Sequence, residues 1–304
     1  MSNYYQSLRY SEGTIENLYL DLEQHNTMFY NTFGLTYANN IQKKFPAIKI
    51  ENIYNIIIGL RMVKNSDEIE IMKNSINTTK EAIYNVMNHH DELDNEMVAE
   101  AYHSFVLHKN AKVESFGSII AAGKNAATLH YEDNNMPIEK DSLLLMDVGC
   151  FTNNYSSDIT RTIPVSGKFT TRQKEVYEVV LDCNKKCIEY AKAGMSWLEL
   201  NNYAKKLLAD GCKKLGLIKE DQELSKYYFH SIGHSLGLDV HDPNIASKGL
   251  LEGMVITIEP GLYIPEENIG IRIEDNIVIT CDKAINLSKD IIKEVKDIEN
   301  YMNK

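Results

Sequence analysis

The sequence predicts an α+β fold, on two observations of pattern and one of length. Segments with helical apolar spacing are gathered together, and so are segments that read as strands; this separates the chain from the strict strand–helix alternation of a doubly wound sheet. At 304 residues the chain suits one large unit with at most a short appendage. No repeat of fixed period is present.

The elements follow in order. Up to about Ile58, YLDL and NTMFYNTFGL read as strands and TYANNIQKKF as a helix. A clearer helix follows, with Ser66 as its N-cap ahead of Glu68 and Glu70 in the first turn. A boundary is therefore placed between Arg61 and Asn65, dividing a reduced N-terminal segment, 1–62, from a main domain, 63–304. A second helix is expected from Asp94 through His108, then a strand ending in Ala-Ala-Gly and a loop carrying His130. TRQKEVYEVVLDCNKKCIEYAKAG reads as a long amphipathic helix closed by Gly194, and the next helix is capped by Ser196 with a glutamate three residues on. These helices are expected to cover the sheet. FHSIGHSLGLDVHD, GMVITIEPGLYIP and GIRIEDNIVIT then alternate strand and turn, before a charged helix from Lys289 to the end.

The chain carries 43 acidic and 32 basic residues, a net charge of -11, which argues against nucleic acid or an anionic membrane surface as partner. Five scattered cysteines (150, 183, 187, 212 and 281) with no CxxC predict reduced, buried thiols, Cys183 and Cys187 sharing a helix face in the core. The N-terminus shows no apolar signal core, and no stretch approaches the roughly 18 apolar residues of a membrane span. The expected location is cytoplasmic.

The chemistry centres on LLLMDVGCFTNNYSSD. Its apolar run reads as a buried strand, Asn153 and Asn154 as a turn, and YSSDITRTIPV as the returning strand, so Asp147 and Asp158, eleven residues apart, come together. A carboxylate at the end of such a run is costly to bury unpaired; it needs a cation, a cluster of donors or an arginine, for which Arg161 is the plain candidate. His234, Glu259 and Glu274 add three donors in apolar settings. Two Asp, one His and two Glu match a site for two divalent first-row ions bridged by carboxylates, suited to Mn or Co and tolerable to Zn.

HSIGH places His230 and His234 four apart, but Gly233 and Gly237 disfavour a helix and no glutamate lies between, so this is not a zincin motif. His234 is the better ligand; His230 and His241 stand behind it or touch substrate. Glu259 ends a β-branched strand before Pro-Gly and is the candidate acid/base. Period-2 alternation puts Arg272 and Glu274 on one face, where a surface salt bridge between them is the plain alternative, and Asp275 on the other, solvated or structural. His89, His90 and Arg61 read as surface or boundary residues.

MDVG, SSDITRT, HSIGHSLGLDVHD, ITIEPGLYIP and GIRIED, in this order, resemble the pita-bread metallopeptidase family that contains aminopeptidase P, prolidase and methionine aminopeptidase. The resemblance covers roughly residues 61–280. It implies a creatinase-like fold, a curved, mostly antiparallel sheet covered by helices, with 63–304 as the catalytic domain. It also implies a dinuclear site on Asp147, Asp158, His234, Glu259 and Glu274, usually holding Mn²⁺ or Co²⁺, with Zn²⁺ possible. Asp158 and Glu274 would bridge the ions, Asp147 would chelate one, and His234 with Glu259 would complete the other. Two ions about 3.5 to 4 Å apart acidify the bridging water, the nucleophile, whose proton Glu259 would pass to the leaving proline nitrogen. His130, His230, His241 and Arg272 fall where proline-specific members contact substrate or the tetrahedral intermediate.

The implied activity is Xaa-Pro aminopeptidase, acting on short peptides with proline second, in a possible homodimer. The histidine loops are similar to aminopeptidase P, whereas the gap of fifteen residues from Glu259 to Glu274 looks more like compact Xaa-Pro dipeptidases (prolidases). The segment before Arg61 is much shorter than the N-terminal domain of proline-specific members, which supports a catalytically inactive binding module as a further alternative. A metal-free, creatinase-like hydrolase is opposed by the five filled ligand positions.

Overall fold

The computed structural model describes residues 15–23 and 32–304. Its chain divides into two units, Met1–Leu60 and Arg61–Lys304. In the smaller, β1 (Asn17–Leu20) pairs in parallel with β2 (Lys49–Asn52), so YLDL contributes to a strand as expected. α1 (Phe33–Lys44) is started by Thr32, whose side chain accepts from the Leu35 amide. Most of NTMFYNTFGL lies outside the described residues; its residues 33–35 open α1 instead of continuing a strand. α2 spans Tyr54–Met62.

The larger unit begins with α3 (Ser66–Asn88). Its cap is Asn65 and not Ser66: the Asn65 side chain accepts from the Asp67 and Glu68 amides while Glu68 reaches back to the Asn65 N–H, a complete capping box. The buried face, including Met72, Ile76, Ile83 and Met87, recurs at three- and four-residue intervals. α4 (Glu96–Lys109) starts two residues later than expected because Asn95 caps it.

β3 (Ile119–Ala122), β4 (Leu143–Val148) and β7 (Ile159–Pro164) form an antiparallel sheet in the order β3-β4-β7. Between β4 and β7 lies the small hairpin β5 (Phe151–Thr152) and β6 (Tyr155–Ser156). Its two turn residues, Asn153 and Asn154, have φ of 47° and 68°, the left-handed pair that a tight hairpin turn requires and that Asn tolerates. α5 (Thr171–Tyr190) is started by a Thr170–Gln173 capping box and ends at Tyr190, before the expected Gly194. α6 (Trp197–Lys214) is capped by Ser196 as expected.

No strand forms in FHSIGHSLGLDVHD, contrary to expectation; Ser235 makes a single bridge to Ile256. β8 (Val255–Ile258), β11 (Asp275–Ile279) and β12 (Ala284–Asn286) form a second antiparallel sheet in the order β12-β11-β8, and β9 (Gly261–Ile264) pairs with β10 (Ile269–Arg272). All pairings in this unit are antiparallel. The last helix, α7, is confined to Val295–Met302, six residues short of the expected start. Ile119, Ala121, Leu145 and Tyr263 form one core cluster, and Met72, Leu236, Val255 and Val278 another, so α3 and the strands that carry the acidic residues share their packing.

Cys150, Cys183, Cys187 and Cys212 are free and buried as expected, with the Cys183 and Cys187 sulfurs 3.9 Å apart on one face of α5; Cys281 is exposed, against expectation.

Candidate metal centre

β4 and β7 run in a register that pairs Asp147 with Thr160, so Asp158, just ahead of β7, arrives beside Asp147. Asn276 on β11 holds the Asp158 backbone from both sides: its Oδ1 accepts from the Asp158 amide (3.2 Å) and its Nδ2 donates to the Asp158 carbonyl (2.6 Å). The hairpin is thereby locked to the second sheet.

His234 is placed by Thr257. The His234 amide donates to Thr257 Oγ1 (3.0 Å), and the Thr257 amide donates to the His234 carbonyl (2.9 Å). The approach is so close that a Cβ on Gly233 would stand 2.0 Å from the Thr257 carbonyl oxygen, which explains the glycine. The loop is held at its far end by Asp242, buried between Lys64 (2.9 Å) and Arg61 (2.5 Å). Arg61, expected at a surface or boundary, is thus part of an ion-pair cluster that also includes Asp239 (2.6 Å).

Glu259 directly follows β8, and Glu274 stands in the break between β10 and β11. Thr257 donates to Glu259 Oε1 (3.3 Å), and Thr160 donates to Glu274 Oε2 (2.7 Å). Ligand atoms of Asp158, His234 and Glu274 lie within 4.8 Å of one another, and His234 Nε2 is 3.6 Å from Glu259 Oε1. Asp147 adjoins Asp158 directly, and Arg272 Nη2 donates to its Oδ2 (2.6 Å).

The hydrogen-bond inventory shows what this group lacks. His234 Nδ1 is 3.1 Å from the Ser235 carbonyl, which only accepts, so Nδ1 carries a hydrogen and Nε2 is the ring atom turned to the group. It faces Asp158 Oδ2 at 3.3 Å. Asp147 Oδ1, Asp158 Oδ1 and Glu274 Oε1 are buried without a hydrogen-bond partner among the described residues. Acceptors facing acceptors require a proton or a cation between them. Burial, with Asp147 and Glu259 nearby, pushes Asp158 well above the usual carboxylate range; burial and Asp158 do the same to Glu274, and burial raises Glu259. A His imidazole oriented by a backbone carbonyl, with four carboxylates, is the donor chemistry of a hard divalent ion, and the chain's residues fit one.

The other predicted residues surround this group. His230 donates through Nδ1 to the Ser231 carbonyl (2.8 Å), so its Nε2 accepts from Tyr263 Oη (2.9 Å), which in turn accepts from Arg272 Nη1 (2.9 Å). Burial and Arg272 lower the His230 pKa to about 4, keeping it neutral. His241 keeps one side open to solvent while its ring packs edge-on against His234, ring centroids 4.2 Å apart; partial desolvation of the ring and His234 lower its pKa. His130 is exposed in the turn after β3, near enough to lower both of these further.

The plain alternatives for the two arginines give way to buried partners distant in sequence. Arg272 makes no surface bridge to Glu274; it is 4 % exposed and pairs with Asp147. Arg161 is not the partner of the two aspartates. It pairs with Asp275 (2.8 Å), which is fully buried and takes the structural of the two roles expected of it. Burial alone would raise the Asp275 carboxyl, but Arg161 and Lys293 hold it below its usual range. Tyr263, Thr160, Thr257, Asn276 and Asn184 were not foreseen; only the strand-end placement of Thr257 and Tyr263 around Glu259 hinted at them.

An α+β unit with one imidazole and four carboxylates converging at strand ends and loops carries the donor set of a divalent-metal site. The chain belongs to metallopeptidase family M24, whose model matches residues 70–281. It is 33% identical over 97% of its length to "Intermediate cleaving peptidase 55, mitochondrial" of Arabidopsis thaliana, and 38% identical over 80% of its length to an Xaa-Pro aminopeptidase of Haemophilus influenzae. These alignments take in 63% and 61% of the relatives, so the chain spans about three-fifths of their length. Among solved structures, one from Bacillus anthracis, provisionally an aminopeptidase P, matches 99% of this chain and 72% of its own at 45% identity and TM-score 0.94. Zinc-substituted Escherichia coli aminopeptidase P with product matches 99% of this chain and 74% of its own at 29% identity and TM-score 0.89. The fold is therefore the pita-bread fold expected. Among the described residues no helix is long and apolar enough to cross a membrane.

Proposed function

We propose that the chain is a metal-dependent exopeptidase that removes the N-terminal residue from peptides with proline second, and that residues 63–304 are its catalytic domain. The observation that carries this is the close grouping of His234 Nε2 with the carboxylates of Asp158 and Glu274, with Glu259 against His234 and Asp147 against Asp158. Family membership and the similarity to Xaa-Pro aminopeptidases supply the reaction class. These five residues would hold two divalent ions, Mn²⁺ first, with Co²⁺ or Zn²⁺ able to replace it. Bound ions supply Lewis-acid polarisation of a carbonyl and acidify a water.

The chain's own residues do the rest. Glu259, its pKa raised by burial, takes a proton from the attacking water and delivers it to the leaving proline nitrogen. Neutral His230 and His241, with His130, line the approach and bind the peptide. Arg272 orients Asp147 directly, and orients His230 through Tyr263. The four buried free thiols suit a reducing compartment such as the cytoplasm.

The test is hydrolysis of Xaa-Pro-Xaa tripeptides by chelator-stripped protein, with and without added Mn²⁺. Release of the first residue only after Mn²⁺ is expected, and Glu259→Gln should abolish turnover. Cleavage of Xaa-Pro dipeptides alone would move the assignment to prolidase, and cleavage of neither would favour the inactive binding module.

A further inference from the structure

Glu259 and Glu274 sit at the ends of different strands, and one side chain spans both ends. Asn184, fully buried on α5, donates through Nδ2 to the carbonyls of Ile258 and Ile273, each at 3.1 Å, the residues immediately before the two glutamates. Its orientation is fixed by Lys293, whose ammonium donates to Asn184 Oδ1 at 2.7 Å. An ammonium can only donate, so Oδ1 faces it and both amide hydrogens remain for the two carbonyls. Lys293 is held in turn by Asp275, which Arg161 and Ser288 also anchor.

The surrounding backbone is pinned as well. The Glu259 amide donates to the Ile232 carbonyl (2.8 Å), the Glu274 amide to the Thr160 carbonyl (3.0 Å), and Arg161 donates to the Glu274 carbonyl (2.5 Å). Each of those bonds fixes one glutamate alone. The backbone also joins the two strand ends, the Ile273 amide donating to the Pro260 carbonyl (3.2 Å) and Asp275 pairing with Ile258; Asn184 is the buried side chain that bonds next to both glutamates and shares in setting their spacing.

We propose that Asn184 is a positioning residue that helps set the separation of the Glu259 and Glu274 carboxylates for metal, with Lys293 locking its amide. This deepens the metal-centre reading and rests on it. Groups that orient metal ligands typically change metal affinity or activity by 10- to 100-fold when removed. A purely structural buried asparagine would change stability and leave the affinity of the folded protein alone.

The experiment is calorimetric titration of chelator-stripped wild type, Asn184→Asp and Lys293→Met with Mn²⁺, alongside thermal unfolding of each in chelator. Asn184→Asp turns an oxygen towards two carbonyl oxygens at unchanged size, and should weaken Mn²⁺ binding roughly 10- to 100-fold. Lys293→Met frees the amide to rotate and should weaken it by a smaller factor. At saturating Mn²⁺ the kcat for an Xaa-Pro-Xaa peptide should fall in both with KM unchanged. Mn²⁺ affinity equal to wild type in folded Asn184→Asp, whatever its melting temperature, overturns the inference and leaves the metal centre standing. If Asn184→Asp does not fold, Lys293→Met decides: equal affinity overturns the inference, weakened affinity supports it. No Mn²⁺ binding by wild type overturns the metal centre, and this inference with it.

Discussion

Replacing Arg272 with lysine keeps a positive charge and removes a planar fork, and the structure sets what that should cost. Its three side-chain nitrogens serve three different acceptors: Nε to Thr160 Oγ1 (3.1 Å), Nη1 to Tyr263 Oη (2.9 Å) and Nη2 to Asp147 Oδ2 (2.6 Å). A lysine ammonium, placed to reach Asp147, abandons the other two. Hydrogen bonds to a charged group contribute about 1.5–3 kcal/mol each. Thr160 and Tyr263 retain other partners, so the low end applies, giving a loss of about 3 kcal/mol. For a unit of this size 1 kcal/mol moves the midpoint by about 2–4 °C, so Arg272→Lys should melt roughly 6–12 °C lower in chelator. Arg272→Met should fall at least as far, because breaking a buried ion pair costs about 3–5 kcal/mol. Scanning calorimetry of the three chelator-stripped proteins is the assay. A melting point for Arg272→Lys within about 2 °C of wild type would refute the reasoning that the fork, and not the charge alone, ties Asp147 to Tyr263 and Thr160.

Two further outcomes follow from the buried titratable groups. Burial lowers the His103 pKa to about 4; Glu114, at 3.8 Å, is too far to hydrogen-bond and does not offset it. Because the unfolded imidazole takes its proton near pH 6.5 and the folded one only near 4, stability is lost as pH falls between them. The loss from pH 8 to pH 5 is about 2 kcal/mol, and His103→Leu should remove it; equal acid sensitivity in wild type and variant, followed by urea unfolding, would sink this account. Asp158 has the opposite sign: its folded pKa is raised, so its stability contribution is present below the unfolded value of about 4 and lost as pH rises through the folded value. Asp158→Asn should therefore raise the melting temperature in chelator at pH 8 while weakening Mn²⁺ binding; a lower melting temperature there would contradict the crowded-carboxylate reading.

Local chemistry was legible in the sequence, and long-range pairing was not. The aspartate hairpin could be read because an apolar run, an Asn-Asn pair and a returning strand all lie within about twenty residues, and Asn153 and Asn154 do take the left-handed turn. The Ser196 cap was equally local. The α3 cap slipped by one residue because Asn65 and Ser66 are both good caps, and only the return contact from Glu68 to the Asn65 amide separates them. The partners of Arg161, Arg272 and Asp275 could not be read because each lies more than a hundred residues away, Asp275 with Arg161 and Arg272 with Asp147. The loop bearing His234 looked like a strand because its apolar residues face a core. Its backbone instead spends its hydrogen bonds on Thr257 and on a turn held by Asp242.

The most direct measurement is an anomalous-scattering map from crystals of this chain grown with Mn²⁺. Two peaks are expected among Asp147, Asp158, His234, Glu259 and Glu274, with His234 bound through Nε2. A map with no peak there, or with Mn²⁺ held by other side chains, would contradict the metal centre on which the proposed peptidase activity rests.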